Sequence, residues 1–142
     1  MWGILVALAS GALMSLQGVF NTEVTKQSSI WAAAGWVQMT AFLTCTVLYF
    51  LSGGGEIIRM FSVDKKYMLL GGVMGAFITW TVIKSMDSLG PAKATLLIVI
   101  TQILVSYLIE IFGLFGVERV GFEWRKLIGA VIAIGGIILF RW

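Results

Sequence analysis

Five apolar runs, at about residues 2–20, 30–51, 67–85, 92–112 and 127–140, occupy most of this sequence and limit its fold more than any other feature. An α-helix of about 20 apolar residues spans the hydrocarbon core of a bilayer, about 30 Å thick. Within that layer each backbone amide has to be satisfied inside its own segment, so runs of this kind coil into helices. Between the runs stand NTEVTKQSS, SGGGEIIRMFSVDKK, MDSLGPAK and GLFGVERVGFEWRK, where charges and Gly or Pro let the chain leave the membrane. The expected fold class is therefore an all-α membrane protein, a single transmembrane domain over residues 1–142 with about five spans. The last run is short for a span, and either Arg125, Lys126, Arg141 and Trp142 anchor it at the interface or it lies in a locally thinned bilayer.

Composition agrees with that reading, since the 142 residues are 59% hydrophobic and only 12% charged. Soluble domains carry about 25% charged residues. Five spans use on the order of 100 residues, which leaves no room for a soluble domain and places the chain in the cell membrane, inner or plasma, as a multi-pass protein. The formal charge of +3 does not point to nucleic acid, because the basic residues stand singly or in pairs at the ends of apolar runs and suit anionic headgroups instead. Cys45, the single cysteine, has no partner for a disulfide and is expected to be a buried small residue. WGILVALASGA has the look of a signal-peptide core, but no basic stretch precedes it, so it is expected to be retained as a helix.

Trp2, Trp31, Trp124 and Trp142 fall near the ends of the runs, where an indole prefers the headgroup layer. Small residues recur at close-packing spacing: Gly11, Ser15 and Gly18 in the first run, Gly71 and Gly75 in the third, and Gly129, Ala133 and Gly136 in the fifth. Lipid does not drive helices together by hydrophobicity, so such residues mark helix interfaces. With five spans the side bearing the N-terminus takes Arg59, Lys65, Lys66, Arg119, Arg125 and Lys126, and the other takes Lys26, Lys84, Lys93 and Arg141. Six against four is a weak positive-inside bias that leaves both orientations open.

Polar side chains at membrane depth are the functional candidates. Gln102 lies near the middle of the fourth run, where an amide without a partner costs roughly 1–3 kcal/mol. Ser106 and Glu110 follow at helical spacing, so the three share one stripe that does not suit lipid. Gln17 and Asn21 form a similar pair near the end of the first run, with Ser10 on the same side. The two stripes suggest a cavity or a hydrogen-bonded seam between the first and fourth helices. Glu110 is the one acid inside a run and the candidate coupling group; the alternative is an interfacial carboxylate that meets headgroups or a loop arginine. Trp36 and Trp80 stand inside runs and, with Trp31, Tyr49 and Tyr107, form a candidate aromatic wall for organic cations; the alternative is ordinary packing. Lys84 is expected to extend its amine toward water. With no His, no second Cys, no GxSxG, no phosphate loop and no metal-ligand spacing, neither enzyme activity nor a cofactor or metal is expected.

The stretches GALMSLQGVFN, LLGGVMGAF, SLGPAKAT, TQILVSYLIEIFGLFG and RKLIGAVIAIGGIILF carry a resemblance over nearly the whole chain. It resembles the small YdcZ-type branch of the drug/metabolite transporter superfamily, whose members are five-helix half-units found singly, in gene pairs or fused. The sequence departs from the usual pattern at Thr101, where Gly is commoner, and at Glu110–Ile111, where an Asp–His pair is commoner, so no imidazole stands ready for a proton relay. The resemblance implies a transporter by ancestry and leaves its substrate unassigned.

Five helices and a weak charge bias lead to the expectation of two inverted copies forming a body of about ten helices, either an antiparallel homodimer or a pair with an inverted paralogous subunit. The expected function is secondary transport of a small organic metabolite, with Gln17, Asn21, Gln102, Ser106, Trp80 and Trp36 at the substrate and Glu110 as the coupling group. The alternatives are a small multidrug or guanidinium-type cation exporter, and a non-transporting membrane scaffold or partner subunit.

Overall fold

A computed structural model describes residues 1–141, with the side chains of Ile137 and Arg141 left undescribed. The anchors expected at Arg141 and Trp142 therefore lie outside the described residues. Among the described residues the regular structure is helical throughout, with five α-helices: α1 Trp2–Lys26, α2 Ile30–Leu51, α3 Gly71–Leu89, α4 Pro91–Phe112 and α5 Trp124–Arg141. Short 3-10 turns at Ile57–Ser62 and Lys66–Leu70 lead into α3. Among the described residues four stretches are long and apolar enough to cross a membrane, namely Trp2–Lys26, Ile30–Leu51, Lys66–Leu89 and Pro91–Phe112.

The chain divides into two units, Met1–Ser88 and the part from Leu89 onward. In the first unit, α1 continues past the expected end at Phe20, through the polar stretch NTEVTK, to Lys26. Its hydroxyls explain this. Thr22 donates to the carbonyl of Gly18 and Thr25 to that of Asn21, each at 2.8 Å, so the side chains turn back onto the helix instead of breaking it. At 1.5 Å per residue the 25-residue helix is about 37 Å long, more than the hydrocarbon thickness, so it tilts or carries its polar end into the headgroups. Ser29 then caps α2, its hydroxyl accepting from the Ala32 amide at 3.1 Å. At the other end of α2 the Gly53–Gly55 turn folds onto Tyr49, whose hydroxyl accepts from the Gly55 amide and donates to the Gly55 carbonyl.

The core of this unit is made of small residues and a few large ones: Gly18, Asn21 and Thr22 of α1, Ala33 and Ala34 of α2, and Ile83 and Met86 of α3 are buried. Gly18 marks the closest approach, since a Cβ there would stand 2.5 Å from the Met86 methyl carbon and 2.7 Å from its sulfur. Gly75 receives Gln38, whose amide also reaches the Thr79 hydroxyl at 3.4 Å. Gly11 and Gly71 face open space instead. Cys45 is a correction to the sequence reading: it is exposed, because α2 buries only its Ala33–Ala34 end.

In the second unit, Gly90 (φ 79°) precedes α4 and Pro91 opens it, a first position where a missing N–H costs nothing. Gly113 ends α4 in the left-handed conformation (φ 61°, ψ 38°). Its turn sends the chain back along the helix end, where the Val120 amide donates to the Glu110 carbonyl at 3.0 Å and Arg119 Nε to the Ile111 carbonyl at 3.1 Å. A side chain at Gly113 would cost about 1–2 kcal/mol for its backbone conformation. It would also crowd Arg119, whose Cβ stands 3.3 Å from the added carbon. Gly113→Ala should therefore lower the melting temperature of the detergent-purified protein by several degrees, while Ala at the open-faced Gly72 should leave it nearly unchanged. Equal melting of the two variants would remove the strain argument.

Candidate functional site

A groove of about 550 Å³ runs between α4 and α5. On the α4 side it is lined by Gln102, Ser106, Tyr107 and Glu110, and on the α5 side by Lys126, Gly129, Ala130 and Ala133. The small α5 residues leave space that larger side chains would fill, and the volume lies in the range that holds small organic ligands, roughly 300–1,000 Å³. Val99, Ile103 and Leu104 supply its apolar wall. The side chains of Gln102 and Ser106 have no hydrogen-bond partner among the described residues. Both residues are exposed in the single chain.

The charged end of the groove is built by the loop that Gly113 turns back. Tyr107 donates to the Glu123 carbonyl at 3.2 Å and accepts from the Glu123 amide at 2.9 Å, which pins the start of α5 beside α4. Lys126, near the start of α5, then pairs with Glu110 at 3.1 Å and with Glu123 at 3.8 Å. Its ammonium also lies 5.5 Å from the centre of the Tyr107 ring. A carboxylate in the last turn of α4 faces the negative end of that helix dipole, and the Lys126 charge offsets this. The Glu110 and Lys126 side chains are 40% and 39% exposed, so solvent screens the pair and it opens at little cost. Phe122 stands edge-on to Trp124 at 5.2 Å and tilted against Tyr107 at 6.5 Å, so the loop before α5 packs that ring against the Tyr107 ring of α4.

The structure thus places three residues of the fourth-run stripe, Gln102, Ser106 and Glu110, along one groove. Glu110 is partnered by Lys126, not by a loop arginine; Arg119 is engaged instead on the Ile111 carbonyl. Gln17 and Asn21 lie on α1 in the first unit, Gln17 exposed and Asn21 8% exposed. Within that unit Trp80 is half-buried and stacks on Trp31 with ring centres 6.1 Å apart and planes at 17°. Trp36 is 60% exposed, and Tyr49 is committed to the Gly55 turn. Two residues escaped the sequence reading. Gln38 sits inside the second apolar run, and its amide should have drawn the same attention as Gln102. Lys126 looked like an interfacial anchor, and nothing in its spacing announces a partner that only the folded loop supplies.

Neither a curated protein nor a solved structure matches this sequence. The model of a protein family described as "Putative inner membrane exporter, YdcZ" matches residues 2–139, which takes in all five helices nearly end to end. With its apolar helices and with a family match over almost its whole length, the chain belongs to the YdcZ family of inner membrane exporters and is a membrane transporter of the inner membrane.

Proposed function

We propose that this chain is one half of a dimeric secondary transporter for a small organic metabolite, in which two inverted copies, each with α5 as a fifth span, make a body of about ten helices. The observation that carries this reading is the state of Gln102: a side-chain amide on a membrane helix that faces a groove and meets no partner among the described residues. An unpaired amide in hydrocarbon costs roughly 1–3 kcal/mol, so it calls for a second copy, a substrate or water. The open faces at Gly11 and Gly71 supply surfaces on which another helix packs closely. The apolar stretch of α5, residues 127–140, is about 21 Å long, short of the roughly 30 Å core, so as a span it depends on interfacial anchoring or on a locally thinned bilayer. In the assembly Gln17, Asn21, Gln102 and Ser106 contact the substrate, Trp36 and Trp80 form aromatic walls, and Glu110 is the coupling group. The role is transport and not catalysis, with lipid and the second copy as partners.

Thermal-shift screening of the purified protein against small solutes, followed by liposome flux on those that stabilise it, tests this directly. At least one solute should both raise the melting temperature and cross the membrane, and Glu110→Gln should flatten the pH dependence of that flux, because an amide does not titrate. A dimeric, well-folded preparation that moves no solute would identify the chain as a scaffold.

A further inference from the structure

We infer that the groove between α4 and α5 takes an α-zwitterion, an ammonium and a carboxylate held side by side on a small apolar body. This rests on the reading of the groove as the substrate site. Its charged end offers one carboxylate and one ammonium 3.1 Å apart, Glu110 on α4 and Lys126 on α5, each with about two-fifths of its side chain exposed. A purely anionic ligand would draw Lys126 away and leave Glu110 alone against the negative end of the α4 dipole. A purely cationic ligand would take Glu110 and leave Lys126 with Glu123 alone, at the longer distance of 3.8 Å. A ligand that carries both charges exchanges partners with the pair and strands neither.

The neighbouring groups support this balance. Glu123 stands at the start of α5, where a helix N-terminus already favours its charge, and it needs no new partner. The Arg119 Nε is engaged on the Ile111 carbonyl. The Tyr107 hydroxyl is held by the Glu123 backbone, so that side chain presents its ring to Lys126 and not a free donor. Beyond the pair the groove turns apolar, with Ile103, Ala130 and Ala133 on its walls, and this suits a hydrocarbon tail over the first turn or so.

Titration calorimetry on the full-length protein in nanodiscs tests the inference with probes that share the leucine side chain and differ in the charges they carry: L-leucine, with both; L-leucinamide, with the ammonium; and 4-methylpentanoate and the bulkier N-acetyl-L-leucine, with the carboxylate. L-leucine should bind at least tenfold more tightly than the others. Lys126→Gln and Glu110→Gln should each weaken it by tenfold or more, whereas the charge-reversed double variant, Glu110→Lys with Lys126→Glu, should return it to within a few-fold of the wild type. Equal or tighter binding of leucinamide, 4-methylpentanoate or N-acetyl-leucine overturns the inference, as does the absence of binding by all of them. Ala130→Leu, which narrows the groove about one turn from Lys126 with a residue that membranes tolerate, separates the two failures. If it blocks whichever probe binds, the groove remains the site and only the zwitterion is wrong. If a bound probe ignores it, the groove reading fails as well.

Discussion

Gln102→Leu should abolish solute binding by this protein while leaving its folding and assembly intact. In the wild type the amide lines the α4–α5 groove with no partner among the described residues, so its hydrogen-bonding capacity is free for a ligand. Two hydrogen bonds to a ligand at about 0.5–1.5 kcal/mol each amount to a loss of roughly fivefold to 150-fold when they are removed. Leu brings no polar group into the bilayer and relieves the cost of the unpaired amide, so the melting temperature should hold or rise. The opposite pattern marks a structural amide that satisfies itself across a dry helix interface: the variant would lose its dimer or misfold. Solute binding at wild-type strength by well-folded Gln102→Leu would remove Gln102 from the site. Size-exclusion chromatography and calorimetry on the same preparation distinguish the three results.

How much of this was legible in the sequence differs from element to element, for physical reasons. Hydropathy locates helices well because the bilayer demands continuous apolar length, and the sequence shows that length directly. It locates ends poorly. The end of α1 depends on whether Thr22 and Thr25 turn their hydroxyls back to the carbonyls of Gly18 and Asn21, and composition only records that polar residues are present there. The exposure of Cys45 was illegible for a related reason: apolar residues on a membrane helix face lipid as readily as protein, so hydrophobicity does not report burial.

The stripe of Gln102, Ser106 and Glu110 could be read from periodicity, because all three sit on one helix and its geometry is fixed in advance. The Lys126 partner could not. It reaches Glu110 only because Gly113 adopts a left-handed turn and Tyr107 holds the Glu123 backbone, and that path through the loop has no period to read. Gln38 is a different kind of omission. Its bond to Thr79 joins α2 to α3, and an amide inside an apolar run was signal enough to look for such a partner.

The claim that two inverted copies make the working unit is tested most directly by the sidedness of the chain ends. In the proposed five-span arrangement the two termini lie on opposite faces of the membrane, and the basic residues divide almost evenly between those faces. The measurement is accessibility labelling with a membrane-impermeant thiol reagent, on single cysteines placed at either terminus in a Cys45→Ala background, so that the terminal cysteine is the one thiol in the assay. Inverted homodimers require each terminus to be labelled from both faces, in populations within about twofold of each other. Labelling of each terminus from one face only, in membranes where the protein is folded and dimeric, would contradict the antiparallel homodimer.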